Sequence, residues 1–203
     1  MKFLFSPIAL AGAMMMPLWA TAAPKVGEAA PAFSLTDSQG QTRSLSDFAG
    51  KTVVLEWTNH DCPFVQKHYG SDNMQNLQRK AAEREVVWLT VISSAPGEQG
   101  LVTPEQAEAL TVRRNASPSA VILDEDGSAG RLYDAKTTPH MFVIDPEGAL
   151  VYAGGIDSIP SADPDDIPKA VPHLELAMAA TAAGKDVPVA TSRPYGCSIK
   201  YAK

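Results

Sequence analysis

Two cysteines, Cys62 and Cys197, carry the most nucleophilic side chains of this 203-residue chain. Cys62 comes shortly after the β-branched segment 51–57 and directly before Pro63. The segment predicts a buried strand, and proline favours the first position of a helix, so we expect Cys62 at a helix N-terminus. The unpaired N–H groups and the positive end of the helix dipole stabilise a thiolate at such a position. The sequence therefore predicts that Cys62 is a redox-active nucleophile.

The residues before Cys62 are polar, which predicts a loop rather than a core position. A protonated His60 would lower the pKa of Cys62, whereas the neighbouring Asp61 would raise it. We expect Thr58 or Asn59 to orient an oxidant beside the thiolate, with His60 as the nearest proton carrier or charge partner. The alternative is a buried cysteine that serves only as a small apolar side chain.

A second element of the site is the dipeptide Thr138-Pro139, directly before the apolar segment HMFVID. A cis bond between these two residues would place their backbone against the reactive thiol. Thr138 would then offer main-chain groups to an extended partner. The alternative is a trans proline that begins a strand.

Helix and strand signals alternate along the chain, which predicts an α/β fold with a central mixed β-sheet flanked by helices. Strands are predicted at 32–35, 42–45, 51–57, 86–92, 120–123, 140–144 and 150–153, and helices at 63–85, 103–114 and 167–183. Thr103, followed three residues later by Gln106, predicts a capping box at the start of the second helix. The tail from residue 185 shows no signal for a helix or a strand.

The first 22 residues have the pattern of a secretory signal peptide: Lys2, an apolar stretch and a small-residue cleavage site. We expect a redoxin domain over 23–185 and a C-terminal tail over 186–203 that carries Cys197. Export would place the protein in a bacterial periplasm or outside the cell, where disulfides form. No apolar run reaches about 18 residues, so no stable membrane insertion is expected after cleavage. A net charge of -6 without a basic stripe argues against a nucleic-acid partner.

Together these residues resemble the thioredoxin-like superfamily and, more narrowly, its peroxiredoxin-like redoxin branch, which is related to AhpC/TSA proteins. The resemblance runs from about Val26 to Asp157 and resumes in the tail. It is carried by NHDCPFVQKHY (59–69), NMQNLQ (73–78), KTTPHMFVIDPEGALVYAGGID (136–157) and SRPYGCSIKY (192–201). It implies a thioredoxin-like fold, a redox-active Cys62 and a cis proline at Pro139 beside it.

Three positions depart from the patterns of these families. Val65 stands where a thioredoxin has its second cysteine, so dithiol chemistry within one helical turn is excluded. Peroxiredoxins carry Thr or Ser three residues before their peroxidatic cysteine and Pro seven residues before it, and here these positions are Asn59 and Leu55. Cys62 also aligns with the first cysteine of the thioredoxin motif rather than with the peroxidatic one.

Cys197 is the expected partner of Cys62, because a flexible tail can bring it to the site. As a resolving thiol it would attack a sulfenic acid or mixed disulfide on Cys62, and an external thiol reductant would regenerate the pair. The substrate would be a peroxide or a disulfide, with no cofactor, and Lys67 and Arg193 are candidate anion-stabilising groups. The alternatives are a permanent structural disulfide, which would contribute about 4–5 kcal/mol, and no bridge at all.

Two other function classes stay open. His60, His68 and His140, together with Cys62, could bind copper or zinc through mixed nitrogen and sulfur ligands. A non-catalytic thioredoxin-like module could instead hold an extended peptide along the Pro139 edge by strand addition.

Overall fold

The computed structural model describes residues 23–202, so the predicted signal peptide over 1–22 lies outside the described residues. In chain order the elements are β1 Ser34–Thr36, β2 Thr42–Ser44, β3 Val53–Trp57, α1 Pro63–Gly70, α2 Asn73–Glu83, β4 Val87–Ile92, α3 Pro104–Arg113, β5 Ala120–Leu123, α4 Ser128–Leu132, β6 Thr137–Thr138, β7 His140–Ile144, β8 Leu150–Gly154, α5 His173–Ala182 and β9 Cys197–Ser198. Between 23 and 202, no helix combines the length and the apolar character needed to cross a bilayer.

A five-stranded mixed sheet forms the centre, in the order β5-β4-β3-β7-β8. β3 pairs in parallel with β4, and β4 with β5, whereas β7 is antiparallel to both of its neighbours. Every residue of β3 is buried, as expected for a strand covered on both faces. One face packs against α1, α2 and α5, and the other against α4 and the β1–β2 hairpin. The alternation of helix and strand signals therefore predicted the layers correctly.

The predicted helix over 63–85 is wrong in one respect, because it is two helices with a break at Ser71 and Asp72. Asp72 has a φ of +62°, in the left-handed region, which a continuous helix cannot contain. The Ser71 hydroxyl donates to the Lys67 carbonyl at 2.7 Å and so satisfies a group at the end of α1. The break separates α1, which carries Cys62 at its start, from α2.

The chain after β5 departs further from the predicted elements. The helix expected over 167–183 begins only at His173, and a 3-10 helix over Pro164–Lys169 precedes it because prolines punctuate the segment. The short helix α4 has no counterpart among the predicted elements. The tail is also structured, since β9 pairs with β6 across 59 residues of sequence. Local signals do not reveal a two-residue strand whose partner is so distant.

Candidate active site

Cys62 is the N-cap residue of α1, as its position before Pro63 predicted. Its carbonyl accepts the first helical bond from Gln66 N at 2.9 Å. Its own N–H donates to the Asn59 carbonyl at 3.1 Å, and Asn59 Oδ1 accepts from Asp61 N at 3.0 Å. Asn59 therefore shapes the turn that delivers the thiol to the helix start.

The Cys62 side chain is fully buried, which corrects the expectation of an exposed loop position. Its Sγ lies 3.1 Å from the Thr138 carbonyl, to which the thiol donates, and 3.4 Å from the backbone N of Cys197, which donates to the sulfur. The Thr138-Pro139 bond is cis, as the family resemblance implied. The loop sequence is polar, but the thiol turns inward and the C-terminal tail covers it.

The tail lies on the backbone beside the cis proline. Thr138 pairs with Cys197 and Thr137 with Ser198 in an antiparallel register. Gly196, directly before this pairing, has a φ of +124°, and a Cβ at that position would stand 2.0 Å from the Thr138 carbonyl oxygen. Only glycine allows this approach. The edge expected to receive an extended partner is therefore occupied by the chain itself.

Both cysteines are free thiols, and they are in contact through the Cys197 N–H, which lies 3.4 Å from Cys62 Sγ. Burial raises the pKa of Cys62, but hydrogen bonds from the side chain and the N–H of Cys197 and from Val65 N–H favour the thiolate, and the net pKa is lowered. Burial and the neighbouring Cys62 raise the pKa of Cys197 to about 11. Cys62 is thus the more acidic thiol of the pair, and Cys197 is the less acidic one.

Thr58 and His60 flank the same loop but have no hydrogen bond to the Cys62 sulfur. The Thr58 hydroxyl is buried without a partner and lines a small cavity of about 30 Å³ together with His60 and Arg114. The His60 ring lies 3.4 Å from the Asp61 carboxylate. Burial lowers the pKa of His60, which disfavours the protonated form that a charge partner of Cys62 would need.

The histidines of the metal hypothesis have separate partners. His68 is bonded to Asn73 at 2.8 Å and to the Tyr195 hydroxyl at 3.3 Å, and His140 accepts from Lys136 N at 3.3 Å. Burial lowers the pKa of His68 and of His140 to about 4. Residues 23–202 contain no group of three or more His, Cys, Asp or Glu side chains that could hold a metal ion.

The two candidate anion-stabilising groups also lie elsewhere. Lys67 Nζ is buried 3.7 Å from the Asp157 carboxylate, so its charge faces a carboxylate. Arg193 is exposed and lines an open cleft of about 470 Å³ together with Asp157, Tyr195 and Gly196.

Sequence analysis missed several side chains around the site, because local patterns give little sign of them. Glu56 is buried in β3 and accepts hydrogen bonds from Tyr69, Trp88 and Thr90, and burial raises its pKa. Arg114 donates to the His60 carbonyl at 3.0 Å and so supports the Cys62 loop from α3's C-terminal end. A charged residue inside a strand pattern was the only available signal for Glu56.

A model of the AhpC/TSA family matches residues 26–153, which is more than half of the sequence. The chain belongs to the AhpC/TSA family. This confirms the family resemblance that the Cys62 and Pro139 segments carried. The matched range ends before the tail, so the family match does not include Cys197.

Relatives of this AhpC/TSA member include thiol-disulfide oxidoreductase ResA of Bacillus subtilis (strain 168), 30% identical over 125 residues. That match covers 62% of this chain and 64% of ResA, so the chain spans less than two thirds of its relative. A hypothetical protein from Sinorhizobium meliloti 1021 has a similar structure, with a TM-score of 0.72 and 24% identity over 89% of this chain and 97% of that one. The thioredoxin domain of a thiol-disulfide oxidoreductase from Bacteroides vulgatus has a TM-score of 0.51 and 19% identity over 72% and 98%. These likenesses confirm the thioredoxin-like fold.

Proposed function

We propose that this protein is an exported thiol oxidoreductase that cycles between a Cys62–Cys197 dithiol and the corresponding disulfide. The supporting observation is the contact of Cys197 with the Cys62 sulfur at the start of α1, with 3.4 Å between Cys197 N and Cys62 Sγ. The pKa of Cys62 is lowered and that of Cys197 is raised. Such a pair combines a nucleophile with an adjacent thiol that can displace it. The proposed organisation is a leader over 1–22, a redox domain over 23–185 and the tail over 186–203.

With a disulfide substrate, the Cys62 thiolate attacks one sulfur, the substrate S–S bond breaks and a thiolate leaves. Cys197 then loses its proton and attacks the Cys62 sulfur, which forms the internal disulfide and releases the second substrate thiolate. With a peroxide, Cys62 attacks one oxygen, the O–O bond breaks, and a sulfenic acid and an alcohol or water result. Cys197 then displaces water from that sulfenic acid. An external dithiol reduces the internal disulfide and is itself oxidised.

The raised pKa of Cys197 does not obstruct the second step. Two of the three causes that raise it are the hydrogen bond to Cys62 and the negative charge on Cys62. Both disappear once Cys62 is oxidised, so the pKa of Cys197 falls at the point where its thiolate is needed. Oxidation of Cys62 therefore makes the thiolate of Cys197 easier to form.

The position of the tail favours a small oxidant over an extended protein segment. Cys62 is fully buried, and Thr138 already pairs with Cys197. An extended partner must first displace β9, whereas a peroxide or a low-molecular-weight disulfide needs a smaller opening. This also disfavours a module that binds peptides along the Pro139 edge without turnover.

The test is the intact mass of the protein after thiol alkylation, before and after one equivalent of hydrogen peroxide or of oxidised glutathione. We expect two alkylated cysteines before oxidation, none after it, and recovery of both with dithiothreitol. Cys62→Ser should abolish consumption of the oxidant, and Cys197→Ser should trap a sulfenic acid or a mixed disulfide on Cys62. A bridge that is present from the start and resists dithiothreitol in the folded protein would refute cycling and indicate a structural disulfide. Two thiols that react with neither oxidant would refute the proposal entirely.

A further inference from the structure

Four buried polar side chains lie between the helix that carries Cys62 and the tail that carries Cys197. We call them the anchor cluster: Lys67, His68, Asp157 and Tyr195, all of them less than a tenth exposed. Lys67 and His68 belong to α1, Asp157 follows β8, and Tyr195 belongs to the tail. The cluster therefore joins both cysteine-bearing segments to the edge of the sheet.

Tyr195 is the tail's member of the anchor cluster. Its hydroxyl donates to Asp157 Oδ1 and lies 3.3 Å from His68 Nε2. Its ring packs edge-on against Phe64, with 5.9 Å between ring centroids, and Lys67 Nζ lies 6.0 Å from the ring centroid. Every one of these partners except Asp157 is on α1, within six residues of Cys62.

Asp157 holds the other side of the anchor cluster. Its Oδ1 also accepts from Ile159 N at 3.0 Å. Its Oδ2 has no hydrogen bond and lies 3.7 Å from Lys67 Nζ and 3.8 Å from His68 Nε2. Lys67 Nζ also has no hydrogen-bond partner. A buried carboxylate that is incompletely bonded depends strongly on the donors that remain, here above all the Tyr195 hydroxyl.

The anchor cluster limits where Cys197 can go. Tyr195 precedes Cys197 by two residues, which span at most about 7 Å when extended. The residue between them, Gly196, has no side chain that could fix the backbone. With Tyr195 bound to Asp157, Cys197 stays within reach of Cys62, and without that bond the segment depends on its pairing with β6.

We propose that Asp157 and Tyr195 are positioning residues that dock the tail so that Cys197 faces Cys62 and closes the disulfide. This inference rests on the proposed Cys62–Cys197 cycle. It assigns a function to two residues that do not touch either sulfur, and it predicts that their loss weakens disulfide closure more than it weakens the fold.

The experiment measures the distribution of the full chain among the dithiol, a Cys62–glutathione mixed disulfide and the internal disulfide. Wild type, Tyr195→Phe and Asp157→Asn are equilibrated in glutathione buffers of increasing oxidation, quenched with acid and weighed intact. Tyr195→Phe should lower the equilibrium constant for closure about tenfold to a hundredfold, the factor that one hydrogen bond to a charged group contributes. The Cys62–glutathione mixed disulfide should accumulate in place of the internal disulfide.

Tyr133→Phe is the matched control. Tyr133 is also buried, and its hydroxyl donates to the Pro31 carbonyl at 2.7 Å on the opposite face of the sheet. Both tyrosine variants should lower the melting temperature, but only Tyr195→Phe should shift the closure equilibrium. Because Asp157→Asn leaves Lys67 without its carboxylate and can prevent folding, Tyr195→Phe decides the matter.

Two results would overturn the inference, and they are distinguishable from failure of the proposed function. If wild type closes the disulfide and Tyr195→Phe closes it equally well, or if Tyr133→Phe shifts closure by the same factor, the positioning role is wrong and the redox cycle stands. If wild type itself forms no internal disulfide at any buffer composition, the proposed cycle fails, and the inference fails with it.

Discussion

Replacing Gly196 by alanine tests whether the close approach of the tail to Thr138 is what buries Cys62. The new Cβ would lie 2.0 Å from the Thr138 carbonyl oxygen, well inside the 3.0 Å limit that real Cβ atoms respect. The obstructing atom is backbone, so no side-chain rotation relieves the contact. The φ of +124° adds strain for any residue other than glycine. The tail must therefore leave its place.

The bonds that hold this part of the tail set the size of the effect. When the tail leaves, three hydrogen bonds break. They join Cys197 N to Cys62 Sγ at 3.4 Å, Thr138 Oγ1 to Cys197 O at 3.5 Å and Ile199 N to Lys136 O at 3.1 Å. At about 1 kcal/mol for each bond, the docked tail is destabilised by about 3 kcal/mol relative to the undocked tail. This corresponds to about a hundredfold more of the undocked form.

The assay is the rate at which iodoacetamide alkylates Cys62 in a Cys197→Ser background, which leaves one thiol. We expect Gly196→Ala to raise this rate about a hundredfold at constant pH, because alkylation follows the undocked population. Gly184→Ala is the control: Gly184 also has a positive φ, +64°, but no atom lies within 4 Å of its Cβ position. Equal rates with and without Gly196→Ala would refute the idea that the tail shields Cys62.

Three further predictions concern the thiol pair, the buried histidines and a strained helix end. Cys197→Ala should raise the pKa of Cys62, because the substitution removes a side-chain donor that favours the thiolate. The absorbance of the thiolate as a function of pH measures this pKa, and an unchanged value would contradict the prediction. Burial lowers the pKa of His68 and of His140 to about 4 in the folded protein. Below pH 6.5 the unfolded chain therefore binds more protons than the folded one, and the free energy of unfolding decreases as the pH is lowered. Each should cost about 2 kcal/mol between pH 7 and pH 5, visible as a falling melting temperature, and a flat profile would show that the burial effect is absent. Glu85→Gly should stabilise the protein by about 1 kcal/mol in urea unfolding, because Glu85 has a φ of +57° just after α2, and a loss of stability would refute this.

Local patterns in the sequence were sufficient for the main architecture. The β-branched run before Cys62 and Pro63 after it predicted a strand, a loop and a helix start in the right order, because these signals act over a few residues. Thr103 and Gln106 form the predicted capping box for the same reason. The long predicted helix failed where a left-handed residue, Asp72, interrupts it, and aspartate is only a weak signal for that conformation.

The predictions for the candidate site also succeeded where local signals were sufficient and failed where they were not. The helix N-terminus at Cys62 was predicted from nearest neighbours, whereas the cis bond before Pro139 was implied only by the family resemblance. The exposure of Cys62 was predicted wrongly, because polar neighbours indicate a loop but do not say what covers it. Cys197 lies 135 residues away in sequence, and only the tertiary structure shows its contact with the Cys62 sulfur.

By itself the sequence determined where a nucleophilic cysteine stands, since a cysteine before a proline-initiated helix is a local arrangement. Only the tertiary structure decided which groups surround that cysteine. The tail covers Cys62 because Gly196 can approach Thr138 and because Tyr195 can reach Asp157, and neither contact leaves a trace in the periodicity of the chain. Contacts between residues far apart in sequence depend on how the layers stack, and stacking is a property of the folded chain as a whole.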